Sequence, residues 1–91
     1  MGELFMKQET RLITESVRQF VVGNFPSAKR RVLNNDDPLL ENGIVDSLGV
    51  LDIVSFLESE FGITAVDEEL IPENFRTIQA IAGYVERKQH G

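Results

Sequence analysis

Ser47 stands between Asp46 and Leu48 near the head of the stretch IVDSLGVLDIVSFLESEFGI, an acid-rich run with apolar residues at helical spacing. It is the residue best placed to carry chemistry. The chain has no cysteine and a single histidine, His90, beside its last residue. Thiolate chemistry and thiolate-held zinc or iron–sulfur are therefore excluded, and a Ser–His–Asp relay on Ser47 has no positioned base. A reactive group has to be attached from outside, and Ser47 is where attachment is expected. The loop NNDDPLLENG is rich in oxygen ligands, yet it lacks the alternating ligands, the spaced glycine and the terminal glutamate of an EF-hand. No metal site is expected.

The elements that must position Ser47 are marked by punctuation. From about Phe5 to Asn24 the apolar residues Ile13, Val17, Phe20 and Val21 recur at helical spacing, and Pro26 marks the stop. A long connection from Pro26 to Asp46 then carries turn-forming Asn34, Asn35, Pro38, Asn42 and Gly43 around Val32, Leu33, Leu39, Leu40 and Ile44. Its leucines are expected to pack over the core, or the loop carries function. A second long helix is predicted from Ser47 to Phe61, closed by Gly62 as a left-handed cap. Asp67 to Leu70 reads as one short helical turn. A last helix starts near Thr77, buries Ile78, Ile81, Ala82 and Val85, and is expected to fray from Glu86 to Gly91. No strand-period alternation and no repeat occurs, so the fold class is all-α: a small bundle of three main helices and one short one. Val17, Phe20, Ile53, Leu57, Phe61, Ile78, Ile81 and Val85 are the expected core.

On a helical projection the second helix has two faces. Val50, Ile53, Val54, Leu57 and Phe61 fall in one arc of roughly 100° and form the expected core stripe. Leu51, Ser55 and Glu58 lie within roughly 80° of Ser47, with Leu48, Asp52 and Ser59 just beyond. One stripe suffices to hold a bundle, so exposed leucines beside carboxylates read as a docking surface. Ser47 also lies at a helix N-terminus, where unpaired N–H groups and the macrodipole favour an esterified phosphate. The plain alternatives are that Asp46 and Ser47 form a helix cap, and that Asp52, Glu58 and Glu60 are solvated helix surface.

Charge and length narrow the partners. With 15 acidic against 9 basic residues, net −6, the surface should repel nucleic acid and anionic membranes and attract basic protein surfaces. Lys29, Arg30 and Arg31 form one basic cluster, read as solubilising. At 91 residues the chain supports one core and is read as a single domain, 1–91, with its ends flexible. Its first residues lack the basic and apolar regions of a signal peptide and no apolar run reaches membrane-spanning length, so a cytoplasmic protein is expected; a monomer is expected as well.

The stretch LLENGIVDSLGVLDIVSFLESEFGI, followed by DEEL and NFRTIQAIAGYV, resembles acyl carrier proteins and their aminoacyl and peptidyl carrier relatives. The likeness covers roughly residues 32 to 86. DSL alone is a weak signal; its combination with LESEFGI at the helix end, a short acidic turn and a T-I-x-x-I-A final helix is far more specific. The resemblance implies that Ser47 bears 4′-phosphopantetheine taken from coenzyme A by a phosphopantetheinyl transferase. It further implies a carrier, itself no enzyme, that holds acyl or aminoacyl groups as thioesters. An acyl- or aminoacyl-activating ligase would load it, and downstream condensing or transferase enzymes would receive the cargo. By position, Asp46, Leu48, Leu51, Asp52, Ser55 and Glu58 match the family's partner-recognition face.

The chain also departs from the common fatty-acid type of that family. At three positions expected to face partners, Gly49 replaces an acidic residue, Ser55 a bulky apolar one, and Ser59 falls where an acid is common; IPENF looks like an extra segment, and Ile44-Val45 replaces a Leu or Gly pair. These differences favour a discrete carrier of a specialised pathway, such as polyketide, lipid-tailoring or aminoacyl-thioester assembly. The alternative is a non-covalent helical adaptor that uses the same Leu48, Leu51 and Glu58 face without modification.

Overall fold

A computed structural model describes residues 2–29 and 32–90, with side chains from residue 11 onward. Its described residues are all helix, turn and loop. α1 spans Gly2–Asn24, α2 Pro26–Lys29, α3 Ser47–Phe61, α4 Pro72–Phe75 and α5 Ile78–His90, with a single 3₁₀ turn at Asp67–Glu69. The all-α bundle of three long helices is as expected, and two short helices, α2 and α4, were not foreseen. Pro26 and Pro72 each open one, because proline's fixed φ suits the first turn and its missing N–H costs nothing there.

Local rules account for the helix ends. The Asn24 amide donates to the Phe20 carbonyl at 2.8 Å, and the chain leaves α1 just before Pro26. Gly62 adopts φ 68°, and its N–H returns to the Glu58 carbonyl at 3.1 Å, closing α3 as a left-handed cap. At α5 the Thr77 hydroxyl accepts the Ala80 N–H at 2.9 Å, so Thr77 caps the helix just before its first residue. Contrary to expectation, α5 does not unwind at Glu86 but continues to His90. Arg87, Lys88 and His90 in its last turn suit the negative end of the helix dipole. The expectations for Arg30, Arg31 and Gly91 lie outside the described residues.

The core is built where α1 packs on α5 and α3, and α4 on α5. Ile13, Val17 and Val21 of α1, Ile53 and Leu57 of α3, and Ile78, Ile81 and Val85 of α5 are buried. Phe20 and Phe61, placed in the core by periodicity, are only half-buried at its edge, as are Val50 and Val54. Aromatic pairing explains their place. The Phe20 ring stacks on Phe56 with centroids 4.3 Å apart, and Phe25 and Phe61 extend this string edge-on at 6.3 and 6.1 Å. Phe56 lies opposite Ser47 on the projection, so α3 presents a wider apolar surface than one stripe.

The expected connection from Pro26 to Asp46 is not loop throughout, because α2 takes its first residues, Pro26–Lys29; most apolar residues of the remainder pack inward. Leu33, Leu39, Ile44 and Val45 are buried, whereas Val32 stands 87% exposed. Leu39 is its hub: its N–H donates to the Arg76 carbonyl at 2.7 Å, and its own carbonyl accepts from Ile44 and Val45 at 2.9 and 3.1 Å. Arg18 donates to the Leu33 carbonyl and the Asn35 side chain, while Gln79 N–H donates to the Asn35 carbonyl at 3.0 Å. These bonds tie the loop to α1 and α5 and deliver the chain to Asp46 in a set direction.

Candidate functional site

Ser47 is the first residue of α3 and is exposed. Asp46 precedes it in extended conformation (φ −98°, ψ −177°), and its carboxylate accepts the Gly49 N–H at 2.7 Å. Asp46 is thus a cap that starts α3 at a defined residue. The amides of Ser47 and Leu48 precede the intrahelical ladder, so they remain open to an anion at the positive end of the helix. An ester on Ser47 fits here: the residue is at the surface, no buried group need move, and a phosphate would sit at the positive end of α3.

Beside Ser47 opens an apolar groove of about 220 Å³. Val50 and Leu51 of α3 form one wall with Ser47, Leu40 of the loop another, and Leu70, Ile71, Pro72 and Phe75 the third. Leu40 and the IPENF segment were not among the sequence candidates for the site. The signal was present as Pro72 at a helix start with Glu73 behind it, a short-helix signature.

The expected recognition residues form a continuous arc with uneven exposure. Leu48 and Leu51 are 73% and 52% exposed, and Asp46, Asp52 and Ser55 are also exposed. Leu51 borders the groove, while Asp52, Ser55 and Ser59 line the flank that faces Phe20 and Asn24 of α1. Glu58 differs. It is half-buried, and its carboxylate accepts the Ala65 N–H at 3.0 Å, fastening the chain that leaves α3. Gly49 requires a correction: it is not a partner-facing position that lacks an acid, but a buried residue under Phe25.

The groove's third wall is fastened from behind. Glu69 accepts from the Tyr84 hydroxyl at 2.9 Å, from Lys88 at 3.1 Å and from the Val66 N–H at 3.1 Å. Asn74 donates to the Glu69 carbonyl at 2.8 Å and accepts from Arg87 at 3.0 Å. The Val66 N–H and the Lys88 ammonium hold the Glu69 carboxyl below its usual range. Burial, then the bond to Glu69, pushes the Tyr84 phenol up to about 12. No sequence pattern announced this cluster, since its members come from three elements and Tyr84 and Lys88 lie 15 and 19 residues beyond Glu69.

Comparison with known proteins agrees with this geometry. The family model for the phosphopantetheine attachment site matches residues 27–85. A probable acyl carrier protein, PigG, of Serratia sp. (strain ATCC 39006) is 34% identical over 79 residues, covering 87% of this chain and 85% of its own length. The D-alanyl carrier protein of Streptococcus pyogenes serotype M1 is 34% identical over 55 residues, 60% of this chain and 70% of its own. The solved structure of KstB-PCP in its apo form superposes with a TM-score of 0.66 at 39% identity, covering 81% of this chain and 82% of that one. The chain belongs to the phosphopantetheine-attachment family of carrier proteins, whose working group is a covalently held 4′-phosphopantetheine.

Proposed function

We propose that Ser47 is the attachment residue and that the chain, as one domain over 1–91, carries acyl or aminoacyl thioesters as a discrete carrier of a specialised pathway. The observation that carries this reading is the exposed serine at the capped start of α3, beside an apolar groove. Bound there, the group supplies the thiol that the sequence lacks, on a flexible arm.

The chain's own residues prepare the serine and leave the acid–base work to a partner. Asp46 holds the first turn by accepting the Gly49 N–H, so Ser47 is presented at a fixed height. No titratable side chain lines the groove. The base that takes the Ser47 hydroxyl proton is therefore assigned to the phosphopantetheinyl transferase. Ser47 Oγ forms a bond to the pantetheine-bearing phosphorus of coenzyme A, the pyrophosphate bond breaks, and adenosine 3′,5′-bisphosphate leaves.

Carriers of this family interact with phosphopantetheinyl transferases and biosynthetic enzymes generally. For this chain the proposed set is a phosphopantetheinyl transferase, an acyl- or aminoacyl-activating ligase, and a condensing or transferase enzyme that accepts the cargo. The proposed docking face runs from Asp46 through Leu48, Leu51, Asp52 and Ser55, with Glu58 at its half-buried edge. A specialised pathway is supported by relatives named as acyl, D-alanyl and peptidyl carriers. The chain is proposed to act as a cytoplasmic monomer; among the described residues no helix is long and apolar enough to cross a membrane.

Incubation with coenzyme A and a broad-specificity phosphopantetheinyl transferase, read by intact mass, tests the assignment. Wild type should gain one phosphopantetheine, and Ser47→Ala should gain none while keeping its circular dichroism spectrum. Cofactor mass on the Ala variant would refute attachment at Ser47, and no gain on wild type would favour the non-covalent adaptor.

A further inference from the structure

Gly49 lies two residues beyond Ser47 in the first turn of α3 and is buried. A Cβ at this position would meet the Phe25 ring at 2.7 Å and the Val45 side chain at 2.9 Å, closer than real Cβ contacts come. The Phe25 ring cannot simply swing away, because it packs edge-on against Phe20, which is itself stacked on Phe56. The bare backbone of Gly49 therefore lets α3 seat its first turn directly on the junction of α1 and α2. The same residue's N–H is the one that Asp46 caps. Seating and cap meet at one amide.

We infer that Gly49 and Phe25 are positioning residues for modification of Ser47: their contact sets the height and tilt of the first turn of α3 and hence where the serine hydroxyl meets the transferase. The inference rests on the Ser47 assignment. A helix start displaced by an amount approaching about 1 Å still offers the partner the same side chains, but its hydroxyl is moved off the line of attack on phosphorus. The step affected is cofactor transfer itself: the Oγ–P bond forms, the pyrophosphate bond breaks, and the proton passes to the transferase. Docking and positioning then separate in the kinetics. KM for the carrier reports the face, and kcat reports the placement of Oγ.

The experiment follows transfer from coenzyme A on the full chain at a temperature where circular dichroism shows every variant folded. Gly49→Ala should lower kcat by roughly tenfold to a hundredfold, the scale of a misplacement approaching 1 Å, with KM for the carrier little changed. Adding Phe25→Leu to Gly49→Ala should recover much of that loss by making room for the new methyl group. Leu57→Ala, a cavity far from the first turn, is the control for lowered stability and should keep the wild-type kcat. Should Gly49→Ala fail to fold, Phe25→Ala takes its place: it cannot clash, it removes the seat, and it should also lower kcat. The inference is overturned by wild-type kcat in the folded single variants, by a loss that Phe25→Leu does not relieve, or by an equal loss in Leu57→Ala. Ser47→Ala is run alongside. Its failure to accept cofactor keeps the attachment assignment standing whatever Gly49 shows, and its modification would overturn that assignment separately.

Discussion

At the scale of single residues, Asp46 and Leu57 make contributions that can be separated by substitution. The sequence offers Asp46 both as a cap and as part of a recognition face, and the structure shows its carboxylate accepting the Gly49 N–H. Asp46→Ala should lower stability by about 1 kcal/mol through loss of the cap, whereas Asp46→Asn keeps an acceptor and should stay within a few tenths. Urea midpoints of the two variants measure that difference. A slower cofactor transfer in Asp46→Asn at unchanged stability would show that the transferase reads the charge. Leu57 is 1% exposed and fully packed, so Leu57→Ala should cost roughly 2–5 kcal/mol as a cavity. Phe61 is half-buried with its ring edge-on to Phe56, and truncation there should cost about half as much, since much of its area already faces water. Equal losses at the two positions would mean that the aromatic string, and not the inner stripe, holds α3.

At the scale of elements, the segment between α3 and α5 is held at two points by carboxylates. Glu58 takes the Ala65 N–H where the segment leaves α3, and Glu69 joins its 3₁₀ turn to Tyr84 and Lys88 of α5. Two pH limits follow. The Glu69 carboxyl is held below the usual 4.5 of a glutamate, so its stabilisation is present above that value and is lost as acid drives the pH down through the lowered folded value. The Tyr84 phenol is raised from 10.0 to about 12, so its contribution is complete below pH 10 and is lost as pH rises from there toward 12. Tyr84→Phe should lower the melting temperature at neutral pH and flatten the fall of stability above pH 10, because the titrating group is gone. Thermal unfolding followed from pH 7 to 11.5 checks both. An unchanged alkaline slope in the variant would show that Tyr84 does not govern that limb.

At the scale of the whole molecule, a net charge of −6 meets an exposed acidic and apolar arc that starts at Ser47. Complementary charge acts chiefly on encounter rate and orientation. Asp52 is exposed and makes the cleaner probe; Glu58 is tied to Ala65, so its reversal also loosens the segment behind the groove. Asp52→Lys should slow cofactor transfer by roughly threefold to tenfold at low salt without unfolding the domain, with the gap from wild type narrowing as salt rises. Its defect should add only in part to that of Leu48→Ala, because the two would share one contact surface. Wild-type transfer by Asp52→Lys at low salt would make this flank ordinary solvated surface.

The sequence alone determined what rests on interactions within a turn or two. Apolar spacing outlined α1, α3 and α5, Pro26 and Gly62 marked helix ends, and the Asp46–Ser47 pair marked the start of α3. The unusual combination around the serine also made the family legible. Such signals are local because caps, glycine φ angles and the helical repeat depend on residues within about four positions of one another. Tertiary structure decided the rest. Gly49 looked like a missing acid until the Phe25 ring, 24 positions earlier in the chain, was found against it. IPENF looks like an extra segment in the sequence, and only the fold shows that it buries Phe75 and sets Ile71 and Pro72 beside Ser47's groove. Glu69, Tyr84 and Lys88 carried no shared period, and Leu39 met the Arg76 carbonyl across the intervening α3. Contacts of this kind depend on how complete helices and loops pack, and a residue's type and near neighbours do not encode which distant surface it will meet.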